Sequence, residues 1–307
     1  MDRRTTSDTW VRVDRLVPAV PPAGTRLRLV IDSDVGNEID DFYAIASALA
    51  SPDRFDLKGI SAAHFNNSRP GAGPGSIEKS VELAHSILDA AGMLDAVKVV
   101  HGCPPMQYFG HPSPGDGADF IIEEARAASP DDPLWVVILG AATSSASAIL
   151  MDPSIAENVR FVFHARSDFT WPTRSVQFNV KGDIHAARTL LASRVPLVWF
   201  DTGTHLTIPY ALSREVLRPL GRLGAFLHDF RDQEPWFARD DKGFFDMGDI
   251  AYLIDPGICR EEVTNVPRMD EHMQFDFSRP NGKMVRVFDI ENNAAWNLLF
   301  EKLRRFL

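Results

Sequence analysis

The chain has almost no cysteine: two in 307 residues. Cys103 and Cys259 stand apart from any Cys-x-x-Cys or Cys/His cluster, which excludes a disulfide scaffold and argues against structural zinc. Two buried thiols in a reducing compartment are the expectation. Long hydrophobic runs are also lacking. The longest, residues 134–142, is far shorter than the roughly 20 residues that cross a bilayer. The polar start, Met1-Asp2-Arg3-Arg4-Thr5-Thr6, leads into no apolar stretch of the kind a secretory signal needs, so a soluble, cytoplasmic protein is expected. Basic charge is in deficit, with 32 Lys and Arg against 42 Asp and Glu and a net charge of −10. That balance argues against gripping nucleic acid or an anionic membrane as a main task. A small ligand meets a pocket rather than a net charge, so it stays open. Internal repeats and low-complexity linkers are missing too. With 45% hydrophobic and 24% charged residues, general disorder is excluded.

What is present is alternation. Pro18, Pro21, Pro22 and Gly24 punctuate residues 1–25, which read as an N-terminal arm; residues 26–307 read as one α/β domain. Apolar runs predict strands at 27–31, 57–63, 97–100, 134–139, 159–163 and 197–200. Periodic stretches predict helices at 42–50, 76–91, 118–128, 144–151, 184–192, 249–253 and 292–307, with a helical region over 212–237 broken near Pro219 and Pro235. Val263, residues 275–277 and residues 285–288 suggest a late hairpin. Strands alternating with helices predict a mostly parallel, mixed central sheet flanked by helices.

The first strand ends in Asp32-Ser33-Asp34-Val35-Gly36-Asn37-Glu38-Ile39-Asp40-Asp41. Ligands of open parallel sheets bind at the C-terminal ends of strands. So many carboxylates in one turn repel one another unless a cation fills the gap, and hard oxygen ligands suit Ca²⁺ or Mg²⁺. A lone aspartate here would read as a solvated helix cap; two pairs after a buried strand favour a metal site. Downstream, Asp249 opens an apolar helix in Asp246-Met247-Gly248-Asp249-Ile250-Ala251-Tyr252-Leu253-Ile254-Asp255-Pro256.

These segments resemble the nucleoside hydrolases of the inosine–uridine-preferring type, whose first strand ends in a DxDxxxDD-like motif and whose late aspartate heads an AVAYLIDP-like helix. Ile60 to Asn66 is similar to the family's second strand ending in Asn. Leu139-Gly140-Ala141-Ala142-Thr143-Ser144 resembles its TGPLTN turn. Gln177-Phe178-Asn179 with Asp183-Ile184-His185 resembles its EFN…DPEAA segment, and Asp201-Thr202-Gly203-Thr204-His205 its DVTH. The resemblance covers most of the chain from Leu27 and implies the family fold, with Ca²⁺-dependent hydrolysis of the N-glycosidic bond of a ribonucleoside or related N-riboside. It implies Ca²⁺ held by Asp34, Asp41, Asp249 and the main-chain carbonyl of Leu139. Asp40, Asn66, Gln177 and Asn179 would hold ribose hydroxyls, Asp32 would orient the site from behind, and Asp34 would double as general base. It also implies a homodimer or homotetramer.

The chemistry explains the residue types. N-glycoside cleavage passes through an oxocarbenium-like sugar. A divalent ion fixes hydroxyls and a water and lowers that water's pKa, a carboxylate beside it removes the proton, and surrounding carboxylates favour the developing positive charge. There are departures from the family pattern. The first motif is two residues longer, in a NEIDD form. Gly248 stands before Asp249 where a His is common, and Gln177 replaces a common Glu. The resemblance places Trp171 and Trp236 near the pocket mouth, where they would stack on the base; packing is the plainer role for either one. His64, His185 and His205 are further candidates for protonating the leaving group. Two rivals remain. One is a haloacid-dehalogenase-like Mg²⁺ phosphatase with Asp32 as nucleophile, which leaves Asp40, Asp41 and the Gln177–Asn179 segment without a role. The other is a homologue that binds metal and sugar without catalysis.

Overall fold

Alternating apolar residues build a sheet with two buried faces. In β1 (Leu27–Ser33), Leu29 and Ile31 point into one hydrophobic cluster and Val30 into the other. In β4 (Leu134–Ile138), Trp135 and Val137 join the first cluster, and Leu134, Val136 and Ile138 the second. This is the period-two geometry of a strand covered on both sides. The computed structural model describes residues 15–66, 72–166 and 170–306.

The other strands of this sheet are β2 (Phe55–Ala62), β3 (Lys98–His101), β5 (Val159–His164), β6 (Leu197–Phe200), β7 (Cys259–Asn265) and β10 (Lys283–Ile290). They lie in the order β3-β2-β1-β4-β5-β6-β10-β7. Every neighbouring pair is parallel except β10 and β7 at one edge. Helices α1 (Asp40–Leu49), α2 (Ser76–Ala90), α8 (Gly221–Asp229), α9 (Met247–Ile254) and α10 (Asn292–Phe306) pack into the first cluster. Helices α3 (Asp116–Arg126), α4 (Thr143–Met151) and α6 (Ile184–Ala192) pack into the second. The expected single α/β domain with a mixed, mostly parallel sheet is therefore what forms, and no helix among the described residues is long and apolar enough to cross a membrane.

One local expectation needs correction in part. The late hairpin forms in part: β10 pairs antiparallel with β7, Val285 opposite Val263, but residues 275–276 leave it, and β9 (Phe275–Asp276) pairs with β8 (Arg268–Met269) in a separate two-stranded sheet. Short apolar runs identify strands but carry no information on which edge they join. The region 212–237 is helical and broken near Pro219 and Pro235 as expected: α7 (Tyr210–Val216), α8 and a 3₁₀ turn at Phe230–Gln233. Of the arm, residues 1–14 lie outside the described residues. Residues 15–25 form no helix or strand. Arg15 donates to the carbonyls of Leu190 and Leu191, and Arg54 to those of Pro21, Pro22 and Thr25, tying this stretch to the body.

The chain runs outward from β1 to β2 and β3, then returns to place β4 on the other side of β1. A crevice opens where the winding reverses, at the C-terminal ends of these strands.

Candidate active site

The crevice is a cavity of about 280 Å³ whose lining includes Asp34, Asp40, Asp41 and Asp246 together with Gln177 and Asn179. Asp34 follows β1, Asp40 and Asp41 open α1, and Asp246 stands immediately before α9. All four are buried. Carboxylate oxygens of Asp40, Asp41 and Asp246 come within 4.8 Å of one another. Burial, reinforced by the neighbouring Asp41 and Asp40, holds the Asp34 carboxyl well above the ordinary carboxylate range. Burial and the charge of Asp40 push Asp41 up to about 8, against a hydrogen bond of 2.5 Å from Ser33 Oγ. Asp246 is raised in the same way, first by burial and then by Asp40. Such a cluster stores repulsion that a cation relieves. Oδ2 of Asp34 is buried with no hydrogen-bond partner, the signature of a group built for a ligand.

Two close approaches hold the wall in place. Leu139 N and Gly140 N both donate to the main-chain carbonyl of Asp32, joining the ends of β4 and β1. A Cβ on Gly140 would stand 2.9 Å from Asp34 N and 3.0 Å from Asp34 Cβ, so only glycine lets the strands meet here. Also in the lining, Gln177 caps the short helix α5 (Phe178–Gly182): its Oε1 accepts from Asn179 N at 2.8 Å and Val180 N at 3.4 Å. Its amide nitrogen remains for a ligand. Asn179 spends its Nδ2 on the carbonyls of Leu139 and His164, which leaves Oδ1 as an acceptor.

A lysine completes the arrangement. Lys242 is fully buried, with Nζ 2.8 Å from Glu38 and 3.5 Å from Asp40. Its ammonium also lies 4.8 Å from the centre of the Phe245 ring. Glu38 belongs to the stretch by which the first motif is lengthened, so the longer turn carries its own counter-ion.

A family model described as inosine-uridine preferring nucleoside hydrolase matches residues 29–293. The chain belongs to this family. Among curated proteins it is 26% identical over 197 residues to an uncharacterized protein of Schizosaccharomyces pombe, a match covering 56% of this chain and 60% of that protein. The chain thus spans about three fifths of the length of the curated relative it matches. Among solved structures it resembles a purine-preferring ribonucleoside hydrolase from Gardnerella vaginalis at 21% identity, with a TM-score of 0.73 and coverage of 91% and 98%. It resembles a plant nucleoside hydrolase at 18% identity, with a TM-score of 0.69 and coverage of 91% and 99%. At these identities the structural likeness is one of fold.

Within this nucleoside hydrolase fold, the site residues expected from sequence divide. Asp34, Asp40, Asp41, Leu139, Gln177 and Asn179 line one cavity. Asp32 does not. It is fully buried behind the wall and accepts from Ser145 Oγ at 2.8 Å, and burial raises its carboxyl to about 6. That position fits an orienting residue and not the nucleophile that the phosphatase alternative requires. Asn66 is exposed and outside the lining, next to residues 67–71, which are not described. Trp171 packs against Phe275, Phe277 and the Arg286 guanidinium, and Trp236 lies at the surface beneath Arg239; neither lines the cavity. The rings that do line it are those of His164, Phe178 and Phe245, with the Arg166 guanidinium stacked 4.2 Å from the centre of the Phe245 ring.

Asp249 is displaced from its expected role. The helix was expected to open at Asp249, but α9 begins at Met247, so the carboxylate at its N-terminus is that of Asp246. Asp246 makes no side-chain cap bond and lines the cavity, whereas Asp249 is fully buried within α9 and accepts from His164 Nδ1 at 2.7 Å. Gly248 packs under Phe200 and Leu206. The residue before the cavity-lining aspartate is therefore Phe245, which, like Gly248, cannot protonate a leaving group.

Of the histidines, His64 is bonded to Thr143 Oγ1, which donates on to Asp183, the N-cap of α6. His205 meets the carbonyl of Ile290. Neither of these, nor His185, lines the cavity; His164 does. Sequence reading missed His164, Asp246 and Lys242. His164 had a signal, since it ends β5 just as Asp34 follows β1. Lys242 had none, because Arg239-Asp240-Asp241-Lys242 reads as solvated charge.

Proposed function

We propose that the chain hydrolyses the N-glycosidic bond of a ribonucleoside or related N-riboside with the help of Ca²⁺. The observation that carries this reading is the convergence of buried Asp34, Asp41 and Asp246 on one cavity that Gln177 and Asn179 also line. The donor set fits a hard divalent cation: carboxylates with strongly raised affinity for protons, an unpartnered Asp34 oxygen and the carbonyl of Leu139 nearby. We assign Asp34, Asp41, Asp246 and the Leu139 carbonyl to the ion. When bound, Ca²⁺ would supply a charge that holds vicinal sugar hydroxyls and acidifies a neighbouring water.

The remaining steps belong to the protein. Asp34 takes the proton of the attacking water. Asp40, held by Lys242, accepts a sugar hydroxyl. Gln177 donates through its amide nitrogen and Asn179 accepts through Oδ1, fixing the ring in the cavity. The carboxylate wall favours positive charge as the bond to the base lengthens. The bond to the base breaks as the water oxygen bonds to the sugar carbon, and the base departs past Phe245 and Arg166, its nitrogen taking a proton from solvent. A soluble homo-oligomer acting on a small molecule is the setting we infer from the family.

The test is ribose release from a panel of nucleosides with Ca²⁺ added and with chelator. Release that requires the cation and is lost in Asp34→Asn supports the reading. Retained cation binding with no turnover of any nucleoside would favour a binding protein without catalysis.

A further inference from the structure

His164 ends β5 and lines the cavity. Its Nδ1 lies 2.7 Å from Asp249 Oδ2 and 3.8 Å from Asp246 Oδ1. The imidazole is 1% exposed, and Asp249 is fully buried. Two polar atoms of this group, Asp249 Oδ1 and His164 Nε2, are buried with no hydrogen-bond partner. Burial raises the Asp249 carboxyl to about 6 even with the imidazole beside it, so His164 does not offset the whole cost of the charge. Asp246 stands in two groups at once. Ligand atoms of Asp40, Asp41 and Asp246 lie within 4.8 Å of one another, and so do those of His164, Asp246 and Asp249. A carboxylate has two oxygens and can serve an ion in each group. Among the described residues, six carboxylates gather here, those of Asp34, Glu38, Asp40, Asp41, Asp246 and Asp249, against the cations of Lys242 and Arg166. One divalent ion leaves the group negative, and a second brings it to balance.

We propose a second metal site, in which His164 Nδ1, Asp249 and Asp246 hold a small first-row divalent ion such as Zn²⁺ beside the Ca²⁺ site, with Asp246 shared between the two. The 2.7 Å contact is the length of a hydrogen bond. Two ligands bonded to one Zn²⁺ at about 2.0–2.1 Å stand about 3.0–3.4 Å apart, so Nδ1 and Oδ2 need part by only roughly 0.3–0.7 Å to admit it. The imidazole selects the ion. Nitrogen suits Zn²⁺ and its first-row neighbours, whereas Ca²⁺ takes oxygen ligands. With Nδ1 on the ion, Nε2 carries the ring proton, as is usual for a metal-bound imidazole. Neither ion depends on which substrate the cavity takes.

The test loads the full chain with Ca²⁺, adds Zn²⁺ and measures both metals per chain after dialysis. The wild type should hold one of each. His164→Leu and Asp249→Asn should lose the Zn²⁺ and keep the Ca²⁺, whose retention shows that the cavity is folded. Should His164→Leu bind neither ion, Asp249→Asn decides, because it keeps the shape of the side chain it replaces. Three results overturn the site: a wild type that retains no Zn²⁺, Zn²⁺ that displaces Ca²⁺ one for one, and Zn²⁺ retained in full by Asp249→Asn, which places it elsewhere on the chain. The first two are read on the wild type alone and need no variant. Both ions bound, the second lost in the variants, with no nucleoside hydrolysed, would overturn the hydrolase reading and leave the second site standing.

Discussion

Asp34 combines an unpartnered buried oxygen with a carboxyl whose proton affinity is raised by burial and by two aspartate neighbours. Replacing it with Asn removes the charge and keeps the shape. Asp34→Asn should lower kcat by roughly 10²–10⁴-fold, the range for losing a general base, and should weaken Ca²⁺ binding in calorimetry with the circular dichroism spectrum unchanged. At this scale the sequence was partly legible. Asp34, Asp40 and Asp41 were readable because a buried strand followed by a helix start fixes where their side chains emerge. Asp246 and Asp249 were not separable, because both precede or open the same apolar helix and only the first turn decides which carboxylate faces out. Asp249→Asn and Asp246→Asn therefore make a discriminating pair. The second should abolish Ca²⁺ binding, while the first should leave most of it in the same titration.

At the scale of elements, the site depends on how closely β1 and β4 approach. Gly140→Ala drives a methyl against the main chain of Asp34. A rigid backbone contact of this kind should destabilise the protein by about 1–3 kcal/mol in denaturant unfolding and lower Ca²⁺ affinity as well. The lengthened turn before α1 sets a different condition. Lys242 is buried between Glu38 and Asp40, and Lys242→Met would leave those carboxylates without their cation. Breaking a buried pair from one side costs about 3–5 kcal/mol. The melting temperature should drop sharply in chelator and recover in part when Ca²⁺ is added. The strand–helix alternation that builds these elements was readable from apolar period, and so was the pairing of Val263 with the strand at 285–288, while the partner of β9 and the place of β10 beside β6 were not. Edge order is settled by packing across the whole sheet, beyond the reach of any window of sequence.

At the scale of the molecule, the carboxylate wall makes stability depend on pH and on cation together. The folded state raises Asp41 from an ordinary 3.8 to about 8, and raises Asp34 and Asp246 in the same direction. Between those values the folded chain binds more protons than the unfolded one, so stability is greatest at low pH within this window and is lost as pH rises toward 8. In chelator, the melting temperature should fall from about pH 5 to pH 8. Saturating Ca²⁺ should flatten or invert that slope, because the ion binds the deprotonated form and adds about 2.7 kcal/mol at a hundredfold excess over Kd. A chelated protein whose melting temperature climbs over this range would contradict the raised carboxyls.

The reversal of winding between β1 and β4 also governs how the protein comes into being. Asp34 and Asp41 come from the first sixth of the chain and Asp246 from its last quarter, and they meet only after β2 and β3 have been laid on one side of β1 and β4 to β6 on the other. The emerging chain therefore has no place for the ion until nearly all of it has been made. On the proposed reading, a bound cation would be a clasp on a finished circuit and not a seed for folding. A nascent chain halted before residue 246 should take up no more of the ion than an unfolded one, whatever structure its first strands have reached.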